Sequence, residues 1–156
     1  GVGHMLPAPA IVSDVDLGRR LRNEPSVART LAVAPRSDIL VFSPGVLEEE
    51  SVLVRSGFLT ERGMERLRAM GAVTDIFSRF LDMSGEPVSQ ELEERTIAIP
   101  LDAVRQAKRS VAVASSLVKA VPMLVAMRSR LATAAVVDEE LAKEILLLGR
   151  LGAEGH

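Results

Sequence analysis

The stretch Ser110–Val137, SVAVASSLVKAVPMLVAMRSRLATAAVV, decides the fold class. It begins with a short apolar run at 110–114, passes through polar residues, and then shows the apolar spacing of a helix over 119–130. A second apolar run follows at 133–137. A strand, a helix and a second strand in this order form the unit that joins parallel strands of one sheet. The stretch therefore predicts an α/β fold.

The rest of the chain continues this alternation. Strand-like runs stand at 8–12, 38–42, 72–77 and 96–99, and helical spacing at 14–34, 60–71, 102–108 and 138–149. The run at 38–42 is continuously apolar, as in a strand covered on both faces. Gly85 is expected at the turn of a hairpin, and Pro122 is expected to cost the helix after 119 a hydrogen bond. We expect one domain with a largely parallel sheet, helices on both faces, and a ligand site beyond the carboxyl ends of the strands.

The composition argues against several classes of functional site. The 156 residues include no Cys, and the two His stand at positions 4 and 156, so disulfides, cysteine nucleophiles, thiolate or histidine metal sites and histidine acid–base catalysis are not expected. The net charge of −2 offers no bulk attraction to nucleic acid. The acidic runs at 48–50 and 138–140 are interpreted as solvated helix starts, because negative charge complements the helix dipole there. Thr60 and Asp138 are expected to cap the helices that follow them. We predict no metal, no cofactor and no catalytic residue, and the absence of Cys fits a cytoplasmic protein.

One segment approaches the length of a membrane span. Residues 110–127 carry a single charge, Lys119, and also contain Pro122 and the serine pair 115–116 near their middle. A strand, a polar turn and a helix explain this pattern better, so no membrane association is expected. No secretory signal is expected at the N-terminus, where residues 1–5 resemble a cloning remnant.

Two groups of residues are candidates for a ligand site. Ser115, Ser116 and Lys119 follow a predicted strand and lead into a helix, where free backbone N–H groups, two hydroxyls and a positive charge suit a phosphate. The structural alternative is a helix start with an exposed lysine. Asp75 interrupts an apolar strand near its carboxyl end, where it could accept hydrogen bonds from ligand hydroxyls. Its alternatives are a salt bridge, with Arg79 nearby, or a cap on the following turn.

The motifs around these residues resemble those of a known family. The matching pieces, in order, are LPAPAIV at 6–12, DILVF at 38–42, SGFLT at 56–60, GAVTDI at 71–76, RFLD at 79–82 with Gly85, RTIAI at 95–99, VAVA at 111–114 with Lys119, and VDE at 137–139. Over residues 6–149 the chain resembles the effector-binding domain of the SorC family of bacterial transcriptional regulators, which is also grouped with the deoxyribonucleoside regulator.

The resemblance implies a Rossmann-like fold similar to that of glucosamine-phosphate isomerase, ribose-phosphate isomerase and CoA-transferases. It implies an effector domain that binds a phosphorylated sugar or related metabolite and alters DNA binding by an attached helix-turn-helix. Asp75 would contact ligand hydroxyls and Lys119 the polar or phosphate end, with Ser115 and Ser116 as further donors. We expect the domain to serve oligomerisation as well, in a homo-oligomer that is a dimer or tetramer.

The resemblance also has departures. The family has glycine where this chain has Ser43, Thr74, Ser78 and the pair 115–116, and threonine at 137. The family places a helix-turn-helix and a first strand–loop–helix unit before the motif at 6–12, so we expect that this sequence lacks both and that residues 150–156 are a tail. Two other functions stay open: a sugar-phosphate isomerase, because that fold is shared, and a dimerisation module without ligand.

Overall fold

The computed structural model describes residues 2–48 and 52–151. The helices are α1 (Val15–Asn23), α2 (Pro25–Leu31), α3 (Val52–Arg55), α4 (Glu61–Ala69), α5 (Gln90–Arg95), α6 (Leu101–Arg105), α7 (Ala120–Arg128) and α8 (Glu139–Leu151), with short 3-10 turns at Ala34–Arg36 and Leu117–Lys119. The strands are β1 (Leu40–Phe42), β2 (Thr74–Ile76), β3 (Arg79–Leu81), β4 (Ser110–Ala114) and β5 (Ala134–Val137).

A parallel sheet of three strands forms the centre of the fold. Its order is β1-β4-β5, with Val41 opposite Val111 and Val113 opposite Val136. Strand β4 lies in the middle, where it pairs in parallel with β1 on one side and with β5 on the other. The α/β fold with a parallel sheet and flanking helices is confirmed, and the strand, helix and strand expected over 110–137 are present.

One face of this sheet, the packed face, carries Leu40, Phe42, Ala112, Ala114 and Val137. These side chains pack with residues of α6, α7 and α8 in one hydrophobic cluster, in which Ala112 is fully buried. The helices supply the inward-facing members of this cluster, namely Leu101, Val104, Ala120, Met123, Ala126, Leu141, Ile145 and Leu148. Burial of this apolar surface is the main source of stability, at about 25 cal/mol per Å².

The opposite face, the open face, carries Val41, Val113 and Val136, whose exposed fractions are 65%, 38% and 57%. Neighbouring side chains along a strand point to opposite faces, so these valines alternate with the packed residues. The expectation that the run at 38–42 is covered on both faces is therefore wrong for the part of the chain that the structure describes.

A two-stranded antiparallel hairpin, β2-β3, packs beside the sheet through Ile76 and Leu81, which belong to the same cluster as Ala112. Its two-residue turn consists of Phe77 and Ser78, with φ of 52° and 61°. Both central residues of this turn need positive φ, which glycine or asparagine usually supplies. The hairpin that the sequence predicts around Gly85 is present in a short form: Leu81 and Pro87 form an antiparallel bridge, the N–H of Asp82 donates to the oxygen of Glu86 at 3.0 Å, and the N–H of Val88 donates to the oxygen of Phe80 at 3.0 Å.

Other expectations need correction. The runs at 8–12 and 96–99 are not strands, since they meet only in the isolated bridge between Ile11 and Thr96. The polar segment of α5 was not predicted as a helix. Pro122 lies in the first turn of α7, where an N–H has no intrahelical partner, so it costs the helix no internal hydrogen bond.

Several helix boundaries follow the sequence. The break between α1 and α2 falls at Pro25, and Thr60 begins α4 by accepting from the N–H of Gly63 at 3.1 Å. Helix α8 continues past Gly149, at which it was expected to end.

The acidic run at 48–50 is outside the described residues except for Glu48. None of the helices described is both long and apolar enough to cross a membrane.

Candidate functional site

A cleft of about 720 Å³ lies where the three parallel strands end. It is lined by Val41, Phe42, Ser43, Val113, Ala114, Ser115, Lys119, Val136, Val137 and Asp138. The valines of the open face form its apolar floor, and the polar residues follow the carboxyl ends of the strands. Parallel α/β sheets bind ligands at this edge, because the loops that leave the strands converge there.

Lys119 supplies the positive charge of the cleft. It ends the 3-10 turn that precedes α7 and is half-buried. Its Nζ donates to the backbone oxygen of Pro44 at 2.6 Å and to Oγ of Ser43 at 3.4 Å. A lysine ammonium has three N–H donors, so these contacts hold it against the turn that follows β1 and leave donor capacity for a ligand.

Asp75 stands on the other side of the same turn. The N–H of Gly45 donates to the backbone oxygen of Asp75 at 2.6 Å, and the hydroxyl of Thr74 donates to the oxygen of Gly45 at 2.9 Å. A Cβ at position 45 would lie 2.6 Å from Oδ2 of Asp75, so only glycine lets the carboxylate approach this closely. The turn 43–45 thus joins the two residues that sequence reasoning singled out.

The Asp75 carboxylate is buried and incompletely paired. Its Oδ1 has no hydrogen-bond partner among the described residues. Burial raises the pKa of Asp75 to about 6, and the N–H of Ser78 and the charge of Lys119 oppose the rise. The N–H of Ser78 lowers the pKa of Asp75, as the alternative of a cap on the following turn would expect, whereas the salt bridge with Arg79 is absent, since Arg79 pairs with Glu93 at 2.7 Å.

Ser115 and Ser116 occupy different environments. Ser115 lines the cleft and is exposed. Ser116 has φ of 85°, a conformation that favours glycine, and its N–H donates to Oδ2 of Asp138 at 3.2 Å. The backbone donor that was expected to meet a phosphate is therefore taken by a carboxylate of the protein.

Asp138 was interpreted from the sequence only as a helix cap. It does cap α8, since the N–H of Leu141 donates to its Oδ1 at 2.8 Å, but it also lines the cleft. The hydrogen bond from Leu141 is the main reason that the pKa of Asp138 is lowered.

Ser43 is a second residue that lines the cleft and that was not chosen as a candidate from the sequence. Its position directly after a predicted strand was the available signal.

The residues present do not form an evident metal site. No group of three or more His, Asp or Glu side chains in the described segments is arranged to hold a metal ion.

Comparison with known proteins shows the family and the fold of the chain. The family model described as "Putative sugar-binding domain" matches residues 1–147. The chain belongs to this sugar-binding domain family. Among curated relatives, it is 28% identical to the Deoxyribonucleoside regulator of Bacillus subtilis over 141 residues, which cover 90% of this chain and 45% of the relative. It is 31% identical to the Transcriptional regulator LsrR of Enterobacter sp. over 147 residues, which cover 92% of this chain and 46% of the relative.

Solved structures show the same sugar-binding domain fold. A DeoR family transcriptional regulator from Listeria monocytogenes matches with a TM-score of 0.83 at 24% identity, covering 90% of this chain and 57% of that chain. A structure described as "Putative Sugar-Binding Domain of Transcriptional Repressor from Vibrio fischeri" matches with a TM-score of 0.82 at 26% identity, covering 93% of this chain and 58% of that chain. The resemblance to SorC and DeoR regulators is confirmed. The chain spans about half the length of the relatives it matches.

Proposed function

We propose that this domain senses a phosphorylated sugar for a transcriptional regulator, without catalysing a reaction on it. The observation that carries the proposal is the turn 43–45, which contacts Lys119 of the cleft on one side and Asp75 on the other, where Oδ1 of Asp75 is buried without a partner just behind the residues that line the cleft. A buried acceptor without a partner costs free energy, and a ligand hydroxyl would supply the missing donor.

The cleft fits a small polar ligand. Its volume of about 720 Å³ lies within the range of small-molecule sites. Lys119 offers a positive charge to a phosphate, and the hydroxyl of Ser115 stands at the end of the neighbouring strand. The valines of the open face would contact the carbon skeleton of a sugar. The names of the relatives and of the family support a sugar as the ligand class.

Ligand binding would change the turn 43–45, which lies between Lys119 and Asp75. An anion that draws Lys119 away from the oxygen of Pro44 releases one contact of this turn, and the turn is paired with the backbone of Asp75. A ligand that binds the released arrangement more tightly shifts the population toward it. We propose that this shift reaches a helix-turn-helix in the intact regulator through a homodimer or tetramer, and that the regulator acts in the cytoplasm.

The proposal also accounts for the exposed valines of the open face. Sheets of parallel strands are normally covered on both faces, and here three valines remain exposed. The relatives are about twice as long as this chain. We propose that the strand–loop–helix unit expected before residue 6 packs on this face and closes the cleft.

The proposal is tested by calorimetric titration of the full chain with sugar phosphates and the matching unphosphorylated sugars. We expect tighter binding of the phosphorylated forms. Lys119→Ala should weaken their binding by about 10- to 100-fold, because a charge-assisted hydrogen bond is lost. Lys108→Ala is the matched control, since Lys108 is exposed and remote from the cleft lining. Equal affinity for both sugar forms, or no effect of Lys119→Ala, would contradict the proposal.

A raised pKa of a buried carboxyl near a lysine is also what an isomerase would use to move a proton. Incubation with ribose 5-phosphate and glucosamine 6-phosphate separates the two functions. We expect binding without interconversion of aldose and ketose, and detectable conversion would favour the enzyme.

A further inference from the structure

Asp138 contributes a negative charge to the cleft that a phosphate site would not be expected to contain. Both of its oxygens accept backbone N–H groups, from Leu141 at 2.8 Å and from Ser116 at 3.2 Å. These bonds hold the carboxylate at the end of β5, facing the cleft that it lines. An anion that approached the N–H of Ser116 would have to displace the Asp138 carboxylate.

The opposite charge is held at the other end of the cleft. Lys119 contacts Pro44 and Ser43, which follow β1, whereas Asp138 follows β5. Strand β4 lies between these two strands, and neighbouring strands are about 4.8 Å apart. The two strand ends are therefore about 10 Å apart, roughly the length of a small sugar phosphate.

The polar atoms available at the two ends differ in kind. At the β1 end, the ammonium of Lys119 and the hydroxyl of Ser43 are donors, which suit phosphate oxygens. At the β5 end, the carboxylate of Asp138 is an acceptor, which suits a sugar hydroxyl. Lys119 and Asp138 are the two charged side chains that line the described part of the cleft, so no second cation is present there to neutralise a second phosphate.

We propose that Ser43 and Lys119 bind the single phosphate of the effector while Asp138 accepts a hydroxyl at the far end, so that the site admits sugar monophosphates and rejects bisphosphates. This inference rests on the proposed function and deepens it. Asp138 determines specificity through repulsion, because a second phosphate would lie beside a fixed negative charge.

The test compares fructose 6-phosphate with fructose 1,6-bisphosphate, and ribose 5-phosphate with ribose 1,5-bisphosphate, by calorimetry on the full chain. The wild type should bind a monophosphate at least about tenfold more tightly than its bisphosphate. Asp138→Asn should reduce this ratio about tenfold or more. Asparagine is a good helix cap, so α8 should remain intact through the bond from Leu141, while the N–H of Ser116 loses its acceptor and becomes available to a ligand. Glu140→Gln is the matched control, because it removes the same charge from the first turn of α8 at an exposed residue outside the cleft lining.

A second variant locates the phosphate. Ser43→Ala should weaken monophosphate binding about three- to tenfold, as expected for one lost hydrogen bond, and leave the ratio of the two ligands unchanged. Equal binding of monophosphates and bisphosphates by the wild type, or an unchanged ratio in Asp138→Asn, would overturn the inference and leave the proposed function standing. If none of the four phosphates binds more tightly than fructose or ribose, the proposed function fails and the inference with it.

Discussion

The two faces of the parallel sheet differ although the same strands build both. In β4, Ala112 is fully buried under the helices, and the next residue, Val113, is 38% exposed at the floor of the cleft. On the packed face, close packing of side chains from α6 to α8 provides stability. On the open face, valines of similar character line a space large enough for a ligand. Apolar residues in this sheet therefore serve both the core and the candidate site.

The largest expected effect distinguishes the faces directly. Ala112→Asp should destabilise the domain by more than about 4 kcal/mol, because it places an unpaired charge in the packed face. Val113→Asp, one residue along the same strand, should cost about 1 kcal/mol or less, since its side chain reaches the solvent of the cleft. Urea unfolding of both variants measures the difference. Similar losses for the two would show that the open face is buried in solution.

A smaller effect concerns the buried and the exposed carboxylates. The folded pKa of Asp75 is about 6, above the ordinary aspartate pKa of about 3.8, so the folded state binds the proton more tightly. The stability associated with Asp75 is fully present below about pH 4 and is lost as the pH rises through 6, a change of about 3 kcal/mol at about 1.4 kcal/mol for each pH unit. The pH dependence of stability that Asp138 contributes has the opposite sign. Because the pKa of Asp138 is lowered in the folded state, its contribution to stability is present above the unfolded pKa and is lost as the pH falls.

Asp75→Asn should remove the loss of stability between pH 4 and pH 6, and the variant should unfold at higher urea concentration than the wild type at pH 8. Denaturant titrations at several pH values measure this effect. Asp16→Asn is the control, because Asp16 is exposed on α1. An unchanged pH profile in Asp75→Asn would show that the Asp75 carboxyl is not the group responsible.

The smallest effect concerns backbone strain. Ser78→Gly in the β2-β3 turn and Ser116→Gly beside the cleft should each stabilise the domain by up to about 1 kcal/mol, since both serines have positive φ. The added flexibility of the unfolded chain offsets part of the gain. Thermal unfolding measures both. A loss of stability in either variant would mean that the serine side chain contributes more than the strain costs.

The sequence predicted the elements whose signals are local. The strand at 110–114 has the predicted bounds because its β-branched residues alternate regularly and polar residues end it. The caps at Thr60 and Asp138 follow from side chains that bond to N–H groups three residues away. The hairpin turn at Phe77 and Ser78 could not be predicted, because neither residue is typical of positive φ and tertiary packing imposes that conformation.

For the candidate site, the sequence alone predicted polar side chains near the ends of strands, and the choice of Asp75, Ser115 and Lys119 rests on this prediction. Only the tertiary structure decided that the turn 43–45 lies between Asp75 and Lys119, that Asp138 occupies the N–H of Ser116, and that one sheet face is open. These facts depend on contacts between residues that are distant in the sequence. Residue patterns record local conformation and burial, but they do not specify which distant group will fill a neighbouring hydrogen bond.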